Sequence, residues 1–524
     1  MGKAGLVAAG ILLSRLAGLV RLRVFAHYFG LQSDAADAFN AAFRIPNFLQ
    51  NLFGEGVLSG SFIPVYAGLL SKGEREEADR VASAVGALLL VVVSGLVALG
   101  VLFAPAVTAT LAPGFTGEKR ALTTSIVRIL FPGAGLLVMS AWCLGILNSH
   151  HRFLLSYAVG VVWNAAMIAT LLIYGSASEL PRLAVLLAWG SVVGSALQFA
   201  VQLPAIASLA RIRAVWDATS SHVRTVVVNF VPVFFSRGVV QVSAYVDSVI
   251  ATLLGTGAVT GLNNAQLIYT LPVSLFGMSV SASELPAMSG AAVDPAGGAV
   301  VRARLNAALR QIAFLVVPSA VAFLAFGDVV AAALLQTGRF GASDARYVWG
   351  ILAGSAVGLL ASTTGRLYSS TYYALRDTRT PLRFAIVRVI LTTALGYLFA
   401  IPLPRAIGAP AVWGAAGLTA SAGISGWIEM LLLRRGINAR LGWTGLPTGF
   451  IVQLWLSAVL AAAVGWGARL LVPAMHPIIV AAIVLGVYGV IYLASTSAMG
   501  LPESAALFRR FRPGRSRAAQ LPSE

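Results

Sequence analysis

Long apolar segments recur along the whole chain, and each has the length of a helix that crosses a lipid bilayer. A spanning helix needs about 20 mostly apolar residues. Only 11% of the residues are charged, whereas soluble proteins carry about 25%. We therefore predict an all-α polytopic membrane protein with about 14 spans. They lie near 4–29, 36–66, 81–110, 122–147, 154–175, 183–208, 224–254, 259–288, 305–335, 346–374, 382–403, 408–433, 449–471 and 478–498.

Basic residues alternate between the connections, so that every second connection is rich in arginine or lysine. The net charge is +18, but no soluble basic face with interleaved aromatics occurs, which argues against nucleic-acid binding. The positive-inside rule places both termini in the cytoplasm of a multi-pass protein in the bacterial inner membrane. The basic set comprises Lys72, Arg75, Arg80, Arg152, Arg211, Arg213, Arg302, Arg304, Arg376, Arg379, Arg434, Arg435 and Arg440, with Lys3 and the tail arginines at 509, 510, 512, 515 and 517. The connections predicted on the opposite side carry fewer basic residues, namely Lys119, Arg120, Arg182, Arg339, Arg346 and Arg405.

Several classes of site are absent from the sequence. The first apolar segment contains Arg15, Arg21 and Arg23 and precedes no small-residue cleavage site, so it is predicted to be a retained helix and not a signal peptide. The single cysteine, Cys143, excludes a disulfide framework. No metal-type Cys/His cluster and no Gly-rich Lys-Ser/Thr loop is present. We expect no metal and no cofactor, and any active transport has to draw on an ion gradient, the membrane potential or the substrate.

Two short motifs recur at a similar offset, which indicates an internal duplication. The second span ends in SFIP at 61–64 and the eighth in SELP at 283–286, and residues 111–115 and 336–340 end the third and ninth spans. Transporters are commonly built from repeats with the substrate site at their interface. The almost apolar last two spans are predicted to form a groove for a prenyl tail or to be inert anchors. The predicted domains are an N-lobe at 1–215, a C-lobe at 216–436, a lipid-facing helix pair at 437–500 and a basic cytoplasmic tail at 501–524.

The first two spans contain ionisable and amide side chains. Arg15 and Arg21 lie about 120° apart around the first helix, so only a broad cavity or a bend near Gly18 could hold both. Ionisable groups within a span are costly and usually face a cavity. The polar residues of the second span fall within about 80° of one another, and Pro46 should kink that helix. The alternatives are snorkelling of Arg21 and Arg23 to an interface and hydrogen bonds that only join helices. The residues are Arg15, Arg21 and Arg23 in the first span, and Asp37, Asn40, Arg44, Asn47 and Asn51 in the second.

The seventh and eighth spans repeat this design in the second lobe. A structural ion pair of Arg237 with Asp247 or Glu284 is the alternative interpretation. Because guanidinium groups are preferred for bidentate phosphate recognition, a cationic cavity between two lobes predicts an anionic substrate such as a pyrophosphate. The residues are Arg237, Gln241, Asp247 and Ser248 in the seventh span, and Asn263, Gln266, Thr270, Ser274, Ser281 and Glu284 in the eighth.

These motifs resemble those of the MurJ/MviN family of lipid II flippases. The segment SRLAGLVR at 14–21 looks like the first-helix motif of that family, and the resemblance extends over nearly the whole chain up to the last two spans. The other matching motifs are DAF at 37–39, RIPN at 44–47, GEG at 54–56, SFIP at 61–64, APGF at 112–115, GILN at 145–148, RF at 152–153, GRF at 338–340 and DTRTP at 377–381.

The resemblance implies a fourteen-helix fold of the MOP exporter superfamily. It also implies that undecaprenyl-pyrophosphate-linked disaccharide-peptide is translocated by alternating access for peptidoglycan assembly, without enzymatic chemistry. The essential cavity residues of the family carry over to Arg15, Arg21 and Asp37, and Arg44 matches a commonly basic position. Expected partners are this substrate, membrane lipids and the cell-wall synthesis machinery. The predicted substrate-binding residues are Arg15, Arg21, Asp37, Arg44, Asn47, Asn51, Arg237, Gln241 and Gln266, and the coupling or gating candidates are Asp247, Glu284 and Glu55.

Some positions depart from the family pattern and keep other functions open. Leu22 replaces an acidic residue, Gln50 a basic one, and Leu267 and Thr270 a cavity arginine and its acid; Arg237 is expected to supply the missing charge. A flippase for another polyprenyl-linked glycan, such as an O-antigen or exopolysaccharide unit, is the first alternative. A multidrug cation antiporter of the same superfamily would need an acidic cavity. A polyprenyl glycosyltransferase would need paired catalytic carboxylates or an acidic metal motif.

Overall fold

A computed structural model describes residues 3–152, 155, 158–213, 220–292, 297–473 and 475–505, without the side chains of 3–9, 11, 55–56, 233 and 235–244. Within these residues the regular elements are helices, and one antiparallel bridge joins Thr337 to Phe340. The predicted all-α fold class is confirmed. The basic tail beyond residue 505 and the side chains of Arg237, Gln241 and Glu55 lie outside the described residues.

Helices follow one another along the described chain with short connections between them. The first half of the chain forms α1 (Lys3–Phe29), α2 (Asp34–Ala42), α3 (Arg44–Phe53), α4 (Glu55–Ser71), α5 (Arg75–Leu102), α6 (Ala104–Leu111), α7 (Gly117–Ser149), α8 (Gly160–Tyr174), α9 (Leu180–Leu209) and α10 (Ser221–Thr252). The second half forms α11 (Ala258–Pro272), a π-helical turn (Val273–Met278), α12 (Ser279–Ala291), α13 (Gly298–Leu335), α14 (Ala342–Ala374), α15 (Arg379–Ala400), α16 (Pro402–Ala406), a 3₁₀ turn (Ala411–Trp413), α17 (Gly414–Leu441), α18 (Thr448–Leu471) and α19 (Pro477–Ala498).

Eleven helical segments among the described residues are long and apolar enough to cross a membrane. They correspond to eleven of the predicted spans, including α2–α4 as one segment. The first, fifth and seventh predicted spans are helical as α1, α8 and α10 but are not among the eleven. A polytopic membrane protein is therefore established, and the count of fourteen spans stays a prediction.

The second predicted span is broken twice. Pro46 has no N–H to bond the carbonyl of residue 42, and the helix is interrupted at Phe43, between α2 and α3. The second break is at Gly54, where an added Cβ atom would lie 2.1 Å from the Gln50 carbonyl oxygen. A side chain at that position would collide with the backbone, so the chain requires glycine there. These breaks divide the second predicted span into α2, α3 and α4.

The described chain packs into two compact units. Unit 1 comprises Met1–Asn264, Leu335–Ala345 and Tyr397–Ala415, and unit 2 comprises Ala265–Leu334, Arg346–Gly396 and Ala416–Glu524. In unit 1, α7 is the central helix and packs against α2, α3, α4, α5 and α9. In unit 2, α14 and α17 approach so closely that a Cβ atom on Gly358 would lie 2.3 Å from the Gly423 Cα. Small residues permit such backbone contact between membrane helices. The predicted lobe boundaries at 215/216 and 436/437 stay predictions.

Two connections outside the spans are fixed by titratable groups. Asp377 accepts hydrogen bonds from the Thr380 backbone N (3.0 Å) and the Arg440 Nη2 (2.6 Å). The Thr380 hydrogen bonds, followed by Arg440, lower the pKa of Asp377, so this carboxylate caps α15 in its ionised form. His150 lies 3.0 Å from the Tyr66 hydroxyl. Burial lowers the pKa of His150, and the positive charge of Arg75 acts in the same direction.

Candidate functional site

Arg21 lies beside a stacked pair of aromatic rings inside unit 1. Its guanidinium carbon is 4.9 Å from the Phe43 ring centre and 5.3 Å from the Trp163 ring centre, and the two rings stack with an interplanar angle of 7°. Phe43 is positioned by the helix break before α3. Trp163 on α8 is fixed because its indole N–H donates to the Ser191 carbonyl at 3.1 Å. The rings therefore hold the guanidinium in one orientation.

The charge of Arg21 has no acidic partner among the described side chains. One Nη atom lies 3.5 Å from the Met167 sulfur, and the Nε atom is buried without a hydrogen-bond partner. A cation over aromatic faces gains about 0.5–2 kcal/mol, and this contact does not neutralise its charge. The rings thus fix the position of the guanidinium group, and most of its N–H donors stay available to hydrogen-bond an anion.

The polar face of α3 follows directly after Phe43, whose ring contacts Arg21, and this face is open. Asn47 and Asn51 are both exposed, one helical turn apart, and the Asn47 amide also donates to the Phe43 carbonyl at 3.3 Å. Arg15 is exposed on α1. These predicted substrate-binding residues are therefore accessible, as a binding role requires. The predicted role itself stays a prediction.

Arg44 is held by residues of α10 and α11. Its Nη2 donates to the Asn263 side-chain oxygen at 2.8 Å, and the Tyr245 hydroxyl donates to its backbone carbonyl at 2.8 Å. Asp247 is close enough to interact with it electrostatically. The polar faces predicted on the second, seventh and eighth spans therefore meet within unit 1. The alternative partner of Asp247, Arg237, has a side chain outside the described residues.

Asp37 is fully buried where three chain segments meet, namely α2, α7 and the start of α11. Its Oδ1 accepts from the Thr260 backbone N (3.0 Å) and the Thr260 hydroxyl (2.7 Å), and its Oδ2 accepts from the Gly257 N (2.8 Å) and the Lys119 Nζ (2.9 Å). It thus caps the first turn of α11 and neutralises a lysine of α7. We call Asp37, Lys119, Gly257 and Thr260 the Asp37 junction. Each carboxylate oxygen of Asp37 accepts two hydrogen bonds from the protein itself. The predicted substrate contact of Asp37 stays a prediction.

The Asp37 junction contains a lysine that the sequence pattern indicated only as a loop charge. Lys119 also pairs with Asp34 at 3.0 Å, and its ammonium lies 4.4 Å from the Phe115 ring centre. The neighbouring motif residue Gly114 packs against α10, because a Cβ atom there would lie 2.2 Å from the Thr252 carbonyl oxygen. The sequence did not indicate the pairing of Lys119 with Asp37, because the contact joins helices that are far apart along the chain.

Unit 2 contains an intramembrane polar cluster that was not predicted from the sequence. The Tyr269 hydroxyl hydrogen-bonds Ser362 at 2.7 Å, and Arg366 and Arg388 interact electrostatically with Tyr269. Arg388 of α15 also donates to Glu429 of α17 at 3.1 Å. Both charged residues of this pair lie inside predicted apolar spans. They could therefore have been selected from the sequence as Arg15 was, since an ionisable residue within a span is a candidate site residue.

The remaining predicted residues are distributed within unit 2. Gln266 is exposed at the start of that unit, beside Leu267, which is 37% exposed. Glu284 on α12 accepts from the Arg304 Nη1 at 3.3 Å, so it has a basic partner other than the one predicted. No group of His, Cys, Asp and Glu side chains suited to a metal ion occurs among the residues described.

The Arg388–Glu429 pair yields a testable prediction. Glu429→Leu leaves a half-buried guanidinium unpaired, and we expect it to lower the free energy of unfolding by about 1–3 kcal/mol, between the values for exposed and buried pairs. Arg388→Leu should cost a similar amount. The double variant should recover most of that loss, as measured by thermal unfolding in detergent. Strictly additive losses would show that the pair is not coupled.

Comparisons with known proteins agree with this architecture. A family model described as "Lipid II flippase MurJ" matches residues 25–497. The lipid II flippase MurJ of Burkholderia cenocepacia is 32% identical over 470 residues, which is 88% of each chain. The probable lipid II flippase MurJ of Vibrio cholerae is 29% identical over 88% of this chain and 90% of its own.

Solved structures of low identity share the fold. A lipid II flippase MurJ in an inward closed conformation superposes with a TM-score of 0.78 at 23% identity, covering 94% of this chain and 98% of its own. An inward-facing multidrug resistance MATE transporter of the MOP superfamily has a TM-score of 0.65 at 17% identity, covering 81% and 95%. The predicted superfamily fold is confirmed.

Proposed function

The chain belongs to the family of MurJ lipid II flippases, and we propose that it moves lipid II across the bacterial inner membrane for peptidoglycan assembly. The observation that carries this proposal is Arg21, a cation fixed by two aromatic rings without an acidic partner among the described side chains. A pyrophosphate matches that site because its oxygens accept bidentate hydrogen bonds from guanidinium. A multidrug cation would be repelled by the same charge.

The headgroup of lipid II is recognised by the accessible polar residues of unit 1. Arg21 and Arg15 bind the pyrophosphate, and the exposed amides of Asn47 and Asn51 on α3 donate to and accept from sugar and peptide groups. The prenyl tail stays in the lipid, because its transfer into a polar cavity would be costly. No bond of the substrate is made or broken, so the protein acts as a transporter and not as an enzyme.

Transport follows alternating access, in which the headgroup site opens to one side of the membrane at a time. The Asp37 junction holds the first turn of α11 against α2 and α7, and its release accompanies opening at that end. Lys119 lies in the first turn of α7, the fourth predicted span. Three spans precede it and the N-terminus is predicted to be cytoplasmic, so the junction faces the periplasm. An ion gradient, the membrane potential or substrate supply drives the cycle.

The proposal is tested by replacing the native flippase of a bacterium. A strain depleted of its own lipid II flippase should regain growth when it expresses this chain, and labelled lipid II should reach the outer leaflet. The control is Arg405→Gln, an exposed arginine of unit 1 outside the site, which should rescue equally. Lack of rescue by a chain that is inserted at normal levels would contradict the proposal and favour another polyprenyl-linked glycan.

A further inference from the structure

An open groove of about 420 Å³ lies on the exposed surface of α7. Its lining is formed by Gly117, Arg120, Ala121, Thr124, Ser125 and Arg128. Arg120 and Arg128 are both exposed, at the two ends of this stripe. At 100° and 1.5 Å per residue they lie about 80° apart around the helix and about 12 Å apart along it.

Arg128 lies deep in its helix for a charged residue. It follows the first residue of α7 by eleven positions, about 16 Å along the axis, and it falls inside the predicted span 122–147. Side chains of a helix lean toward its N-terminus, so the Arg128 guanidinium is directed toward Arg120. The Arg128 side chain thus extends over Thr124 and Ser125 toward the end of the groove where Arg120 lies.

Neither arginine has a described acidic partner, whereas three arginines within the helices of unit 2 do. In unit 2, Arg310 pairs with Glu503 at 2.6 Å, Arg388 with Glu429 at 3.1 Å and Arg469 with Asp328 at 2.5 Å. Within the part of the chain that the structure describes, Arg120 and Arg128 form no ion pair. Cations at membrane depth require a counter-charge or water, and the groove is the open space beside them.

We propose that Arg120 and Arg128 bind the phosphate of a lipid headgroup in this groove. A phosphate diester accepts charge-assisted hydrogen bonds from both guanidinium groups, while its acyl chains lie along the apolar surface of α7 below Arg128. Two lipids carry this chemistry at the predicted periplasmic end of α7: an anionic phospholipid of the bilayer and the pyrophosphate of a polyprenyl-linked substrate. The groove is distinct from the Arg21 site, since it lies on the exposed side of α7, away from the contacts of this helix with α2 and α3.

The experiment measures lipid binding by native mass spectrometry of the full-length protein. The probes are phosphatidylglycerol, phosphatidylcholine and undecaprenyl pyrophosphate, added separately to delipidated protein. The variant is Arg120→Gln/Arg128→Gln, and the control is Arg182→Gln/Arg405→Gln, two exposed arginines predicted on the same membrane side. Monodispersity and the thermal unfolding midpoint establish that each variant is folded.

The expected result is that wild type prefers phosphatidylglycerol to phosphatidylcholine and that the groove variant binds it about tenfold more weakly or worse, with the control unchanged. A loss restricted to undecaprenyl pyrophosphate would also support the phosphate site and identify the substrate as its source. Equal affinity of wild type and groove variant for all three lipids would overturn the proposal. This test does not depend on the proposed transport function, because it reads binding alone.

Discussion

Arg21→Ala is expected to reduce lipid II transport by about 100-fold or more, because removing one side of a desolvated charge contact costs about 2–5 kcal/mol. The assay is accumulation of labelled lipid II in the outer leaflet of a strain that depends on this chain. Arg405→Gln removes the same charge at an exposed position of unit 1 and should transport normally. Unchanged transport by Arg21→Ala would remove the central observation behind the proposed function.

Two further variants separate charge from orientation at Arg21. Arg21→Lys keeps the charge but loses the planar donors that match a phosphate, so we expect partial transport and weaker substrate binding. Trp163→Leu keeps the guanidinium but removes one of the two rings that position it, and it should likewise cause an intermediate loss. If the lysine variant transports like wild type, a point charge is sufficient and the rings have no positioning role.

The sequence was sufficient to predict the fold class and the polar faces. Fourteen apolar runs predicted an all-helical membrane protein, and helical angles placed Arg44 and Asn263 on polar faces that the structure brings to 2.8 Å. Pro46 predicted the break that the structure shows at Phe43. Such features depend on the spacing of residues along one helix, which can be read directly from the sequence.

The partners of these residues could not be predicted because they depend on how helices rotate and pack against one another. Asp37 is hydrogen-bonded to Thr260, which is 223 residues away, and helical periodicity gives no register between separate helices. The contact of Arg21 with the stacked rings of Phe43 and Trp163 requires the break before α3 and the packing of α8 on α1. Glu429 and Arg388 were detectable as charges in apolar runs, but their pairing was not.

Asp37→Ala is expected to abolish transport and to lower the thermal unfolding midpoint strongly. The substitution leaves the Gly257 and Thr260 amides without their acceptor and leaves Lys119 with only the exposed Asp34. Removing one partner of a buried ion pair costs about 3–5 kcal/mol, and the unsatisfied amides add to that loss. Thermal unfolding in detergent and transport in the dependent strain measure the two effects.

The conservative variants distinguish a closing role of Asp37 from a direct substrate contact. Asp37→Asn keeps an acceptor for Thr260 but loses the charge that neutralises Lys119, so it should destabilise the protein less than alanine does. Adding Lys119→Met to Asp37→Asn removes the unpaired cation and should restore part of the unfolding midpoint. A junction that acts as a gate predicts that these variants change stability and transport together, with substrate affinity preserved. A direct contact predicts the reverse: Asp37→Asn would weaken binding of undecaprenyl pyrophosphate while the unfolding midpoint stays at the wild-type value.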